Sequence, residues 1–141
     1  MAVLVPNLAA PHKVVYIPFG MTSTPAGTVP TAGIYRMWVT TETSEILSIQ
    51  LVRSGTQDAG LTYQAGSIPV TTATGTALTV MASSTVPDPV AVGLVTVPVD
   101  ADANDASKGP VFPPATAIGF TSAGTTSTSR LHGIIIRYRS T

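Results

Sequence analysis

Few residues in this 141-residue chain have types and spacings that could carry chemistry. Asp100, Asp102, Asn104 and Asp105 open as D-x-D-x-N, and carboxylates at alternating positions can converge on a calcium ion. The helix-loop-helix calcium motif also requires Gly at its sixth position and Glu at its twelfth; here those are Asp105 and Val111. The segment therefore reads as a solvated turn, and no metal site is expected. Glu42 and Glu45, the only glutamates, flank a short polar turn. A glycosidase pair needs its carboxyls about 5 to 9 Å apart across a cleft, so these two are expected to serve solubility. His12 and His132 lie at opposite ends of the chain, with no G-x-S-x-G elbow, phosphate loop, dinucleotide fingerprint or His-rich spacing to support them. His132 alternates with Ile134 and Ile136, which predicts a hydrogen-bonded histidine in the interior or at an interface. No cysteine is present, which excludes thiolate metal sites, thiol nucleophiles and disulfides. The chain is not expected to be an enzyme or to hold a cofactor.

Two further features are candidates for contact and not for catalysis. Arg137 and Arg139 share one face of the last apolar run, with Tyr138 on the other. They either pair with Glu42 or Glu45 or line a solvated edge, or they anchor an interface, where Arg and Tyr are favoured. Trp38, the single tryptophan, shares a face with Ile34 and Arg36 and is expected to pack in the core.

The elements that must position these residues are strands. Gly or Pro interrupts nearly every window of helical periodicity, while β-branched Thr and Val dominate. Strand candidates are Lys13 to Phe19, Gly33 to Thr40, Glu45 to Arg53, Leu61 to Gln64, Ser67 to Thr72, Thr76 to Ala82, Val90 to Val99, Ala115 to Thr121 and Leu131 to Arg139. Gly33–Thr40 places Tyr35, Met37 and Val39 on one face; Glu45–Arg53 places Leu47, Ile49 and Leu51 on one face. The short loop between them predicts an antiparallel hairpin with one buried face. Ser67–Thr72 and Thr76–Ala82 predict a second pair across Ala73-Thr74-Gly75. Val90–Val99 is apolar on both faces and predicts a covered central strand. Ile134, Ile135 and Ile136 are expected to be buried on both sides. The layout is a single all-β domain over 13–141 of about eight strands, with long loops at 21–31 and 100–114 and an extended arm at 1–12. An antiparallel sandwich, jelly-roll-like, is the expected architecture, with a small closed barrel as the alternative.

Composition bounds the surroundings. Only 10% of residues are charged, against about a quarter in an ordinary domain, and the formal net charge is zero. Hydrophobic residues make up 44%. Soluble monomers usually keep a net charge away from zero, so much of this surface is expected to be covered by other chains. Neutrality also argues against nucleic acid, which needs clustered Lys and Arg. No run approaches the roughly 20 apolar residues of a membrane span, and the proline-bearing N-terminus is a poor secretory signal.

An all-β layout without cysteine, few charges, abundant Thr, Ala, Val, Gly and Pro, and a proline-bearing arm (Met1 to Pro11) together resemble tailed-bacteriophage structural proteins, most closely capsid decoration (cement) proteins. The resemblance spans the whole chain and contains no diagnostic motif. It implies a small β domain made in the host cytoplasm that assembles as a trimer on the virion, bound to the major capsid protein. Val3, Val5 and Leu8 would be the arm's apolar contacts, with Arg137 and Arg139 as further interface candidates. A phage tail or neck component and a carbohydrate-binding sandwich are the competing readings.

Overall fold

A computed structural model describes residues 11–19, 32–56, 60–73, 75–88, 93–124 and 129–141. The arm contacts Val3, Val5 and Leu8 and the loop 21–31 lie outside the described residues. Among the described residues there are ten strands: β1 (Lys13–Pro18), β2 (Gly33–Val39), β3 (Ser44–Ser54), β4 (Thr62–Pro69), β5 (Thr79–Val80), β6 (Val86–Pro87), β7 (Gly93–Val97), β8 (Val111–Phe112), β9 (Thr116–Ala123) and β10 (Arg130–Ser140). They form two antiparallel sheets of five strands that do not close into a barrel. Sheet A runs β1-β10-β3-β7, with β8 also on β3; sheet B runs β2-β9-β4-β5, with β6 also on β4. Setting aside the two-residue β6 and β8, the first strand pairs the last (β1 with β10). The pairing then nests inward through β2 with β9 and β3 with β7 to β4 with β5. That nesting is the jelly roll, a ribbon of antiparallel pairs wrapped around one core. Among the described residues there is no helix, and none long and apolar enough to cross a membrane.

The expected hairpin of Gly33–Thr40 with Glu45–Arg53 does not form. β2 pairs β9 in sheet B, whereas β3 pairs β10 and β7 in sheet A. Residues 40–43 cross between the sheets. Alternation predicts one buried face in either arrangement, because both strands then face the same core from opposite sides. The corner is held by Thr40, whose N–H donates to Thr116 O (2.9 Å) and whose hydroxyl donates to Pro113 O (2.7 Å). Ala115 N–H closes back on Thr40 O at 2.8 Å, with Ala115 at φ 62°, a left-handed backbone that costs an alanine energy.

Three other expectations change. Leu61–Gln64 and Ser67–Thr72 are one continuous strand, β4, although its pairing with the 76–82 segment survives as β5. Of the Val90–Val99 segment, residues 90–92 lie outside the described residues, and Gly93–Val97 is the edge strand β7, not a central one; Val95 and Val97 are buried while Leu94 is exposed. Ile134 and Ile136 are fully buried, but Ile135 lies half-exposed on the outer face of sheet A.

The core lies between the sheets. Ile46, Ile49, Leu51, Ile134 and Ile136 of sheet A meet Tyr63, Ala65, Ile118 and Phe120 of sheet B. Burying each large side chain contributes roughly 1.5–3 kcal/mol. Bulges shift the strand phase where simple alternation fails. One between Arg36 and Trp38 turns both Tyr35 and Trp38 onto the core, despite their opposite parity. Another, at Arg137/Tyr138 opposite Ser48/Ile46, brings Ile46 inward and leaves Leu47 half-buried.

Candidate functional site

Sheet A's outer face is built by strand alternation alone. Inward Val15 and Ile17 on β1, Ile134 and Ile136 on β10, Ile49 and Leu51 on β3, and Val95 and Val97 on β7 leave their neighbours outside. The ladder aligns those outer residues in rows: Pro18, Gly133, Val52 and Leu94; then Tyr16, Ile135, Gln50 and Thr96; then Val14, Arg137 and Ser48. Val14 is 61% exposed, Leu94 54% and Tyr16 50%. The one charge in these rows, Arg137, donates to Gln50 Oε1, and Gln50 Nε2 passes the chain on to Thr96 Oγ1 at 3.3 Å. Tyr16 lies over Gly133, where an added Cβ would come within 2.5 Å of the ring, and its hydroxyl donates to His132 O at 3.2 Å. The surface therefore exposes apolar side chains at Val14, Tyr16 and Leu94 around a polar chain of Arg137, Gln50 and Thr96, and its one charge is hydrogen-bonded.

His132 is the extra residue of a bulge between Leu131 and Gly133. The bulge breaks its alternation with Ile134: Leu131 fills the core and His132 is half-buried, with Nε2 2.7 Å from Ser54 Oγ. It is hydrogen-bonded as expected, but it is not in the interior.

At the Ser44 end of β3 a cleft of about 430 Å³ is lined by His12, Glu45, Leu47, Asp100, Lys108 and Arg139 among others. Glu45 and Arg139 are spent on each other, Lys108 pairs with Asp105, and Asp100 accepts from Ser83 N–H. Arg139 Nε donates to Glu45 Oε2, and Gly109 N–H donates to Glu45 Oε1 at 2.9 Å. Gly109 permits that approach, because a Cβ there would stand 1.9 Å from Ile46 O. Burial pushes the Glu45 carboxyl up, but the Arg139 and Gly109 hydrogen bonds outweigh it and hold it below the ordinary value. Beside the cleft, Lys13 bonds Glu42 and Ser140; the Lys13 hydrogen bond lowers Glu42, and Glu42 raises Lys13. Of the two interface arginines, Arg139 is thus in the Glu45 pair and Arg137 is bound to Gln50.

The acidic loop does not gather its carboxylates. Asp102 Oδ1 accepts from Asn104 N–H (2.8 Å) and Asp105 N–H (3.2 Å). Asp105 Oδ1 accepts from the Ser107 hydroxyl and N–H, which hold its carboxyl below the ordinary range. Asp100 Oδ2 accepts from Ser83 N–H at 3.3 Å. Asp102 and Asp105 each cap a turn of their own loop, whereas Asp100 reaches across to the 83 segment. Among the described residues no group of three or more His, Asp and Glu side chains is placed to hold a metal ion.

One polar cluster had no counterpart in the sequence reading. Arg53 Nε lies 3.0 Å from Asp88 Oδ1 and its Nη2 donates to Asp88 Oδ2 at 3.1 Å, both side chains fully buried. Tyr63 OH (3.0 Å) and Ser129 Oγ (3.2 Å) donate to Asp88 Oδ1, and Arg53 Nη2 also donates to Thr56 O at 3.0 Å. Burial pushes the Tyr63 hydroxyl far above its usual range, so it remains a donor. The available signal was parity: Arg53 continues the inward series of Ile49 and Leu51. The cluster is closed to solvent and joins β3 to β4 across the core, so it serves as a clamp with no access for a substrate.

Comparison with protein-family models, with curated proteins and with solved structures finds no match.

Proposed function

We propose that this chain is a structural assembly protein of a tailed phage, a decoration protein that binds the outside of an icosahedral head and stabilises it. The observation that carries the reading is the outer face of sheet A, which exposes Val14, Tyr16 and Leu94 on a chain with 10% charged residues and no net charge. Exposed apolar side chains gathered on one face of a sheet are a common mark of a contact surface. A cement protein adds apolar area across seams between capsid subunits, and a rigid sheet loses little entropy in doing so. The jelly roll is found in viral capsid proteins, which agrees with the reading; it is also found in lectins, so the fold alone supports neither. Of the eight aromatic residues, seven (Phe19, Tyr35, Trp38, Tyr63, Phe112, Phe120, Tyr138) pack on the core, leaving only Tyr16 on the surface. That disfavours the carbohydrate-binding alternative, which needs several exposed rings. The partner is the major capsid protein, and the arm residues Val3, Val5 and Leu8 add contacts to a neighbouring subunit.

The test is co-sedimentation of the purified chain with heads assembled from the major capsid protein alone. Saturable binding is expected, with affinity reduced about tenfold or more by Leu94→Lys. Removal of Met1–Pro11 is expected to weaken binding and leave the fold intact. No sedimentation with heads, together with a positive glycan array, would replace this reading with the lectin-like one.

A further inference from the structure

We infer that β1 is a self-complementary edge through which two copies of this chain pair about a two-fold axis, joining their A sheets into one. The inference goes beyond the capsid reading and does not depend on it.

The backbone of β1 dictates which groups are free. Phe19 N–H donates to His132 O at 2.9 Å, in register with Ile17↔Ile134, Val15↔Ile136 and Lys13↔Tyr138. In an antiparallel ladder alternate residues exchange bonds with the partner strand, so 13, 15, 17 and 19 are satisfied by β10. The N–H and C=O groups of Val14 and Tyr16, with the C=O of Pro18, point to the open side. Pro18 is consistent with this, since its missing N–H falls on the edge and costs the sheet nothing. Among the described residues no strand pairs with that side of β1.

Natural edges are blunted by lysine, proline or bulges. β1 has no register shift against β10, and its proline is at the very end. Its one lysine, Lys13, is tied to Glu42 and Ser140 of its own chain and stands over the Tyr138 ring. What remains is Val14 and Tyr16, a pair of exposed apolar residues side by side on an unpaired edge. An isologous contact must match itself, and this one does. With the axis at Val15, Val14 faces Tyr16 of the second copy and exchanges both backbone hydrogen bonds with it, and Tyr16 does the same with Val14 of the second copy. His12 N–H then meets Pro18 O of the second copy, so the absent proline N–H falls at the end of the ladder. The exposed Val and Tyr side chains cover each other on the outer face. No like charges meet, because the only charge on the strand is already paired and the chain is neutral. Charge thus favours a second copy over a strongly acidic or basic strand.

The test is the solution mass of the full chain by light scattering coupled to size exclusion, for the wild type and three variants. The wild type is expected at twice the chain mass. Val14→Pro removes an edge N–H that β10 does not use, and Val14→Lys restores an edge gatekeeper; both are expected to run at the chain mass with an unchanged circular dichroism spectrum. Leu94→Lys, on the same outer face but the opposite edge strand, is expected to remain a dimer. A wild-type monomer, a trimer, or a dimer that survives both Val14 variants would overturn the edge pairing. A dimer lost with Leu94→Lys and kept with Val14→Pro would replace it with face-to-face stacking. None of these results depends on head binding, so the two readings fail separately.

Discussion

Both ends of β3 carry an ion pair, and the two are built on different principles. At the Ser44 end, Glu45 and Arg139 are cross-strand neighbours in sheet A, and the Arg139 side chain keeps a quarter of its surface in solvent. At the other end, Arg53 meets Asp88 with no exposure on either side chain, and the bonds come from separate segments: β4, the Thr56 turn, Asp88 after β6 and Ser129 before β10. The first pair holds neighbours that the ladder has already aligned. The second must be completed by several segments at once, because a half-satisfied buried charge is worse than none. An ion pair inside one sheet therefore adds stability, whereas one between sheets also specifies how the sheets dock.

Breaking the inter-sheet clamp is expected to have the largest effect. Asp88→Ala leaves the Arg53 guanidinium buried without its carboxylate and should cost about 3–5 kcal/mol in urea unfolding. The double variant Arg53→Met with Asp88→Leu removes both charges and should recover most of that loss. If the double variant is as unstable as the single one, unpaired charge is not the cause.

Glu45→Gln keeps the shape and removes the charge, so it should cost about 1.5–3 kcal/mol at neutral pH. The same pair predicts a pH dependence. Because the folded Glu45 carboxyl is held below its ordinary value near 4.5, its contribution is present above that value and is lost as pH falls through the lower folded one. Urea midpoints of the wild type should therefore decline on acidification below about 4.5, and Glu45→Gln should flatten part of the decline. Parallel curves for the two proteins would remove Glu45 from the acid response.

Two conservative changes sharpen the contrast with opposite signs. Tyr63→Phe deletes one donor to Asp88 and should cost about 1 kcal/mol. Ser122 Oγ is buried on β9 without a hydrogen-bond partner among the described residues, so Ser122→Ala should stabilise by a similar amount, about 1 kcal/mol. A destabilised Ser122→Ala would mean that the hydroxyl is satisfied in solution. The smallest effect is expected from Glu42→Gln: that pair with Lys13 faces solvent, and the urea midpoint should not move.

Fold class and most strand positions were legible in the sequence, because side-chain alternation is a local property of the chain. Lys13–Phe19, Ala115–Thr121 and Leu131–Arg139 map closely onto β1, β9 and β10. Which strand pairs with which was not legible. β2 and β3 show the pattern of a hairpin yet belong to different sheets, since the core on which both alternate lies between them. The bulges at Arg36/Trp38 and Leu131/Gly133 were equally hidden, so Trp38 shares the core with Tyr35, and His132 leaves the Ile134 face.

The sequence alone determined an all-β, cysteine-free, neutral chain with too little charge for an ordinary surface, because those properties are sums over residues. It also determined which residues alternate, because the strand period is two. Tertiary structure alone decided the rest. It made Gly93–Val97 an edge strand and enclosed Arg53 with Asp88, 35 residues away, and it left Val14 and Tyr16 on a side of sheet A that no described strand pairs. These outcomes depend on contacts between segments distant in the chain, and a local pattern cannot encode which distant segment arrives.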